Sequence, residues 1–143
     1  MAIWMESAVA DEPGSGGGKR GPRPWRAKFR DAVRGLKLGV RGHSSFVVHF
    51  FFAALVLAAA VVLGCPVEQW AILLLCIGLV LTAELFNSAI ETLFRGLDPL
   101  TKERAWPALD IAAGAVLMAS LVAAVVGGAV FVRRLAQLLG WLA

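Results

Sequence analysis

Three runs of apolar residues constrain this chain more than any other feature of it. Residues 46–64 carry one polar side chain, His49, while residues 70–83 and 111–132 carry no charge at all. A helix rises about 1.5 Å per residue, so about 20 residues cross the hydrocarbon of a bilayer. The first and third runs reach that length alone, and the second reaches it by continuing to about residue 94. The sequence therefore predicts an all-α integral membrane protein, with a three-span domain over residues 45–132 and spans at about 46–64, 69–94 and 109–132. Composition agrees, because 59% of residues are hydrophobic and 17% charged, well away from the balance of a soluble domain.

The flanks set the expected orientation. Nine of the fourteen Lys and Arg precede Phe46, none lies between the first two runs, three (Arg95, Lys102, Arg104) lie between the second and third, and two (Arg133, Arg134) follow. Basic residues stay on the cytoplasmic side, so the N-terminus and the second loop are expected there. Residues 1–23, with Gly14, Gly16, Gly17 and Gly18, have the makeup of a disordered tail, and no apolar h-region precedes Phe46. Over residues 24–44, Trp25, Phe29, Val33, Leu36 and Val40 recur at helical spacing while Arg26, Lys28, Arg30, Arg34, Lys37 and Arg41 fill the other face. That pattern predicts an amphipathic helix lying on the membrane surface. The net charge of +4 then reads as attraction to anionic headgroups, not to nucleic acid. Residues 133–143 are expected to form an interfacial tail, residues 96–107 a loop long enough to join a site, and Cys65 and Cys76 to be packing residues. The small residues Ala108, Ala112, Ala115, Ala119, Ala123 and Gly127 form a stripe suited to close helix packing.

The chemistry is expected on the second span. A carboxylate at membrane depth costs at least about 2.5 kcal/mol, which makes an intramembrane acid a functional candidate. Glu84, Asn87, Ser88 and Glu91 stand at i, i+3, i+4 and i+7, one stripe of a helix. An interhelical hydrogen-bond network would explain Asn87 and Ser88, but two carboxylates on one face are costly as mere glue. Seven residues span about 10.5 Å, so Glu91 can lie near the interface with Glu84 deeper. A base at the deeper level and a metal-binding carboxylate at the shallower one suit a reaction between a lipid hydroxyl and a water-soluble donor, and Asp110 could join from the third span. His49 reads as a packed or hydrogen-bonded histidine.

The run AELFNSAIETLF, a short charged loop, and ALDIAAGAVLMASLVAAVV closely resemble the prokaryotic diacylglycerol kinase and undecaprenol kinase family, and the likeness extends back through RGLKLGVRGHSSFVVHFFFAALVLAAAVVLG to cover roughly residues 32–132. The Glu-x-x-Asn-Ser-Ala-Ile-Glu core is its most specific part. The resemblance implies a homotrimer that phosphorylates a membrane lipid alcohol with ATP and Mg²⁺, in phospholipid or cell-envelope lipid recycling. It further implies that Glu84 is the general base on the lipid hydroxyl, Asn87 an orienting side chain beside it, Glu91 a Mg²⁺ ligand and Asp110 an acidic residue on the nucleotide side. Three positions depart from the family pattern: His43 stands where a metal-binding acid is usual, Arg95 where an acid follows the core, and Leu109 where a Lys is usual. His43 could still touch metal or phosphate, and Arg95, Lys102 or Arg104 could supply the positive charge that Leu109 cannot. Two other readings are open from sequence: a non-catalytic lipid-binding or scaffold relative, and a small proton-coupled transporter working through Glu84.

Overall fold

The computed structural model describes residues 24–41 and 45–141, and the expectations for residues 1–23 and for His43 lie outside them. Four helices follow one another: α1 (Trp25–Arg41), α2 (Ser45–Val62), α3 (Val67–Arg95) and α4 (Pro99–Leu138). The last three are long and apolar enough to cross a membrane. The chain is thus an all-α protein of three candidate spans preceded by a separate helix.

On α1 the apolar row stays exposed, with Trp25, Phe29 and Leu36 all open to the surroundings, as expected of a face made for a bilayer surface. The helix touches α3 at Gly39, where a Cβ would come within 2.7 Å of Leu85 Cδ2. A methyl there would require the end of the Leu85 side chain to shift.

The α2–α3 connection is tight for a reason local to its residues. Gly64 takes φ +58, the left-handed conformation that glycine adopts without steric cost. It places the Gly64 N–H on the Val61 carbonyl and the Cys65 N–H on the Ala60 carbonyl, a Schellman ending, and Pro66 then starts α3. Around this turn Ala60, Cys65 and Leu73 form the buried apolar core, packed by Val56, Leu63, Trp70, Val130 and Phe131. Arg134 reaches across from α4 and donates through Nε to the Leu63 carbonyl (2.9 Å) and through a terminal nitrogen to the Gly64 carbonyl (2.7 Å). These are carbonyls that the end of α2 leaves without helical partners. Arg134 thereby has a structural place at this turn. Both cysteines are free, Cys65 buried in this core.

The second connection is shorter than its composition suggests. In place of a loop over residues 96–107, α3 runs to Arg95 and α4 begins at Pro99, with Asp98 as its N-cap accepting from the Leu100 and Thr101 N–H groups (3.1 Å each). Pro99 at the first helical position needs no N–H partner, and Pro107 is carried inside the helix. An edge-to-face contact of Phe94 with Trp106 (5.6 Å) holds the two helices beside the turn. At its other end α4 passes the expected tail boundary and continues to Leu138, so residues 133–138 belong to the same helix. Of the small-residue stripe, Ala112, Ala119 and Gly127 are buried, and a Cβ on Gly127 would meet Leu73 of α3. Ala108 and Ala115 remain exposed.

Candidate active site

At the end of the bundle opposite Gly64 the helices meet through polar side chains. Glu84 lies on α3, 2% exposed, and would be costly there without partners. The first turns of α2 provide them. The Ser45 hydroxyl donates to Glu84 Oε1, and His49 Nε2 stands 3.6 Å from Glu84 Oε2. Ser45 and His49 are four residues apart, so one face of α2 presents both to the carboxylate.

One turn further along α3 the side chains are still buried, and two turns along they become exposed. Asn87 is 9% exposed, the Glu91 side chain 34% and the Arg95 side chain 63%. Asn87 Nδ2 donates to Glu91 Oε1 at 3.0 Å, and an Arg95 terminal nitrogen lies 3.4 Å from Glu91 Oε2. The stripe therefore grades from a dry carboxylate to one at an aqueous edge within about 10.5 Å of helix. Asn87, expected beside Glu84, turns its amide to Glu91 instead. Ser88 is 1% exposed, and its hydroxyl finds no partner among the described residues.

The remaining expected residues are dispersed. Arg95 lies against Glu91 with its side chain still largely exposed. Lys102 is half-buried and Asp110 exposed, both on α4, and His43 falls outside the described residues. The contact that sequence reasoning missed is Ser45. A lone serine carries no pattern, and its partner is 39 residues away; the available signal was its i, i+4 relation to His49.

Beside this cluster, α2, α3 and α4 line a half-open groove of about 500 Å³ with His49 at its wall and otherwise mainly apolar lining, including Phe52, Val56, Leu73, Ala123 and Gly127. The site thus combines a buried carboxylate, an aqueous carboxylate and an apolar recess. For Mg²⁺, no group of three metal-ligating side chains converges among the described residues. The donor available is the hard carboxylate of Glu91, which fits an ion usually held by one or two carboxylates together with substrate phosphates and water.

Three long apolar helices with one carboxylate buried between them define the class of an α-helical membrane protein, and make Glu84 a candidate functional group. Within that class the chain belongs to the prokaryotic diacylglycerol kinase family, a family of lipid kinases, whose model matches residues 30–131. A diacylglycerol kinase of Synechocystis is 34% identical over 112 residues, which cover 78% of this chain and 64% of that protein. An undecaprenol kinase of Bacillus subtilis is 31% identical over 110 residues, covering 75% of this chain and 87% of the relative. This chain therefore spans slightly less than two thirds of the Synechocystis protein. No solved structure matches.

Proposed function

We propose that this protein transfers the γ-phosphate of ATP to the hydroxyl of a membrane lipid alcohol, diacylglycerol or undecaprenol, at the cytoplasmic face of a bacterial inner membrane. The observation that carries the proposal is the gradient along α3, from Glu84 at 2% exposure to Glu91 at 34%. A lipid hydroxyl rises only to the interface and a nucleotide triphosphate does not enter hydrocarbon, so the two meet between these levels. The names of the relatives, a diacylglycerol kinase and an undecaprenol kinase, support the same substrate class.

In this reading Glu84 is the base. Its carboxylate takes the lipid hydroxyl proton as the oxygen attacks the γ-phosphorus in line, and ADP leaves with the electron pair of the broken P–O bond. An ionised carboxylate accepts at about four lone-pair sites, so contacts to Ser45 and His49 leave room for the substrate hydroxyl. Glu91 would hold Mg²⁺, which when bound neutralises charge on the phosphates. Asn87 keeps Glu91 in its rotamer. Arg95 and Lys102, beside the 96–98 turn, and Asp110, about three turns further along α4, would form the nucleotide side, and three copies of the chain would form the working assembly.

Transfer of labelled phosphate from ATP to a panel of lipid alcohols, by the purified protein in micelles, tests this. Turnover is expected with diacylglycerol or undecaprenol and is expected to vanish in Glu84→Gln and Glu91→Gln. A folded, trimeric wild-type protein inert toward both lipids would overturn it. One observation favours a second reading, a lipid-binding relative without turnover: Arg95 rests on the carboxylate that the metal needs. That reading predicts lipid binding with no phosphate transfer.

A further inference from the structure

We infer that the end of the α3–α4 seam beside the Gly64 turn binds a phospholipid whose zwitterionic headgroup carries a primary ammonium, its phosphate on Arg133 and its ammonium on Glu68. The site lies at the opposite end of the bundle from Glu84 and does not depend on the kinase reading. Two neighbouring arginines on α4 point to it. Arg134 is committed to the Leu63 and Gly64 carbonyls. Arg133, one residue before it and so about 100° around the helix, lines a half-open groove of about 550 Å³ between α3 and α4. Glu68, in the first turn of α3, lines the same groove. Neither Glu68 nor Arg133 forms an ion pair with a described residue. One acid and one base therefore stand at one groove without being paired to each other.

Polarity is ordered along this groove as it is along a phospholipid. Glu68, Gln69, Arg133 and Gln137 occupy the end near Pro66, and Ile72, Val125 and Val126 carry it toward the middle of the spans. Val125 lies eight residues before Arg133, about 12 Å along α4, which is most of the hydrocarbon depth of one leaflet, about 15 Å. The lining comes from α3, α4 and Pro66, so the groove opens away from α1 and α2. Charge selects the headgroup. A guanidinium binds phosphate oxygens through paired, charge-assisted N–H donors, and a carboxylate accepts such bonds from a primary ammonium. An anionic phospholipid satisfies Arg133 but brings like charge beside Glu68. A quaternary ammonium answers the charge of Glu68 but has no N–H to donate. A headgroup with one phosphate and one primary ammonium meets both side chains.

The test needs no turnover. The full-length protein carries photoreactive benzoylphenylalanine in place of Ile72, on the groove floor, and the mass of the photo-adduct identifies the occupant. The micelles contain equal amounts of phosphatidylethanolamine, phosphatidylcholine and phosphatidylglycerol with the same acyl chains. Phosphatidylethanolamine is expected to be labelled about fivefold more than either of the others, the scale of one exposed ion pair. In Glu68→Gln its advantage over phosphatidylcholine is expected to disappear, and in Arg133→Gln its labelling is expected to fall about fivefold. Both net-neutral lipids meet the basic face of α1 equally, so the comparison between them reports the groove. Both substituted residues are exposed, and an unchanged melting midpoint shows that the bundle stays folded. Equal labelling of the three lipids in the otherwise wild-type chain, a preference that survives Glu68→Gln, or labelling unmoved by Arg133→Gln overturns the inference. So does an adduct with a second copy of the chain in place of lipid, which would make this groove an interface between copies.

Discussion

Arg95 shows how one substitution can change the task of a neighbour without changing the fold. Its guanidinium lies 3.4 Å from Glu91 Oε2. The pair is solvent-exposed, so the attraction is worth about 1 kcal/mol at most. Arg95→Ala should therefore tighten Mg²⁺ binding in the presence of a non-hydrolysable nucleotide by up to about fivefold, the equivalent of that energy. A Mg²⁺ titration that does not move shows that the two cations do not compete for Glu91. At this scale Glu84 and Glu91 were legible because helical spacing puts them on one stripe. Ser45 and the Arg95–Glu91 pairing depend on how two helices meet and which rotamers they select, and no spacing encodes that. Asn87 is an intermediate case: its face was legible, its partner was not.

At the scale of elements, the spans were written in the apolar runs, whereas the left-handed Gly64 ending of α2 shows only in the structure. Nor was the start of α4 legible. Gly96, Asp98, Pro99, Lys102, Glu103 and Pro107 read as a loop, yet Asp98 caps the helix and Pro99 occupies the position where proline favours it. Asp98 is accordingly held below its ordinary carboxyl pKa, first by the Thr101 side chain and then by the Thr101 and Leu100 backbone N–H groups. A lowered folded-state pKa means that this stabilisation is fully present above the ordinary value of 3.8 and is lost as pH falls through the lower folded value. Asp98→Ala should thus lower the melting midpoint in micelles at neutral pH, and the gap to wild type should close in the acid range below about pH 4. A gap that persists there would show that the cap acts through something other than its charge.

Taken as a whole, the chain has little interior of its own. Only 11% of the α2 window is buried, and large side chains such as Phe51, Leu75, Leu117 and Val125 face outward on all three spans. Lipid covers such surfaces, and so do copies of the same chain. Under the proposed trimer, mass measurement of the detergent-solubilised protein should give three times 15.2 kDa for the protein component. A monomer with full activity would show that each site is complete within one chain.

The length of α4 has its own consequence. Its 40 residues measure about 60 Å, and even a tilt of about 40° leaves about 46 Å along the membrane normal, against hydrocarbon about 30 Å thick. The rod overhangs the oily layer whatever its lean. Under the proposed function, Lys102 and Arg104 would meet the phosphates of a nucleotide from backbone heights that α4 sets relative to Asp110.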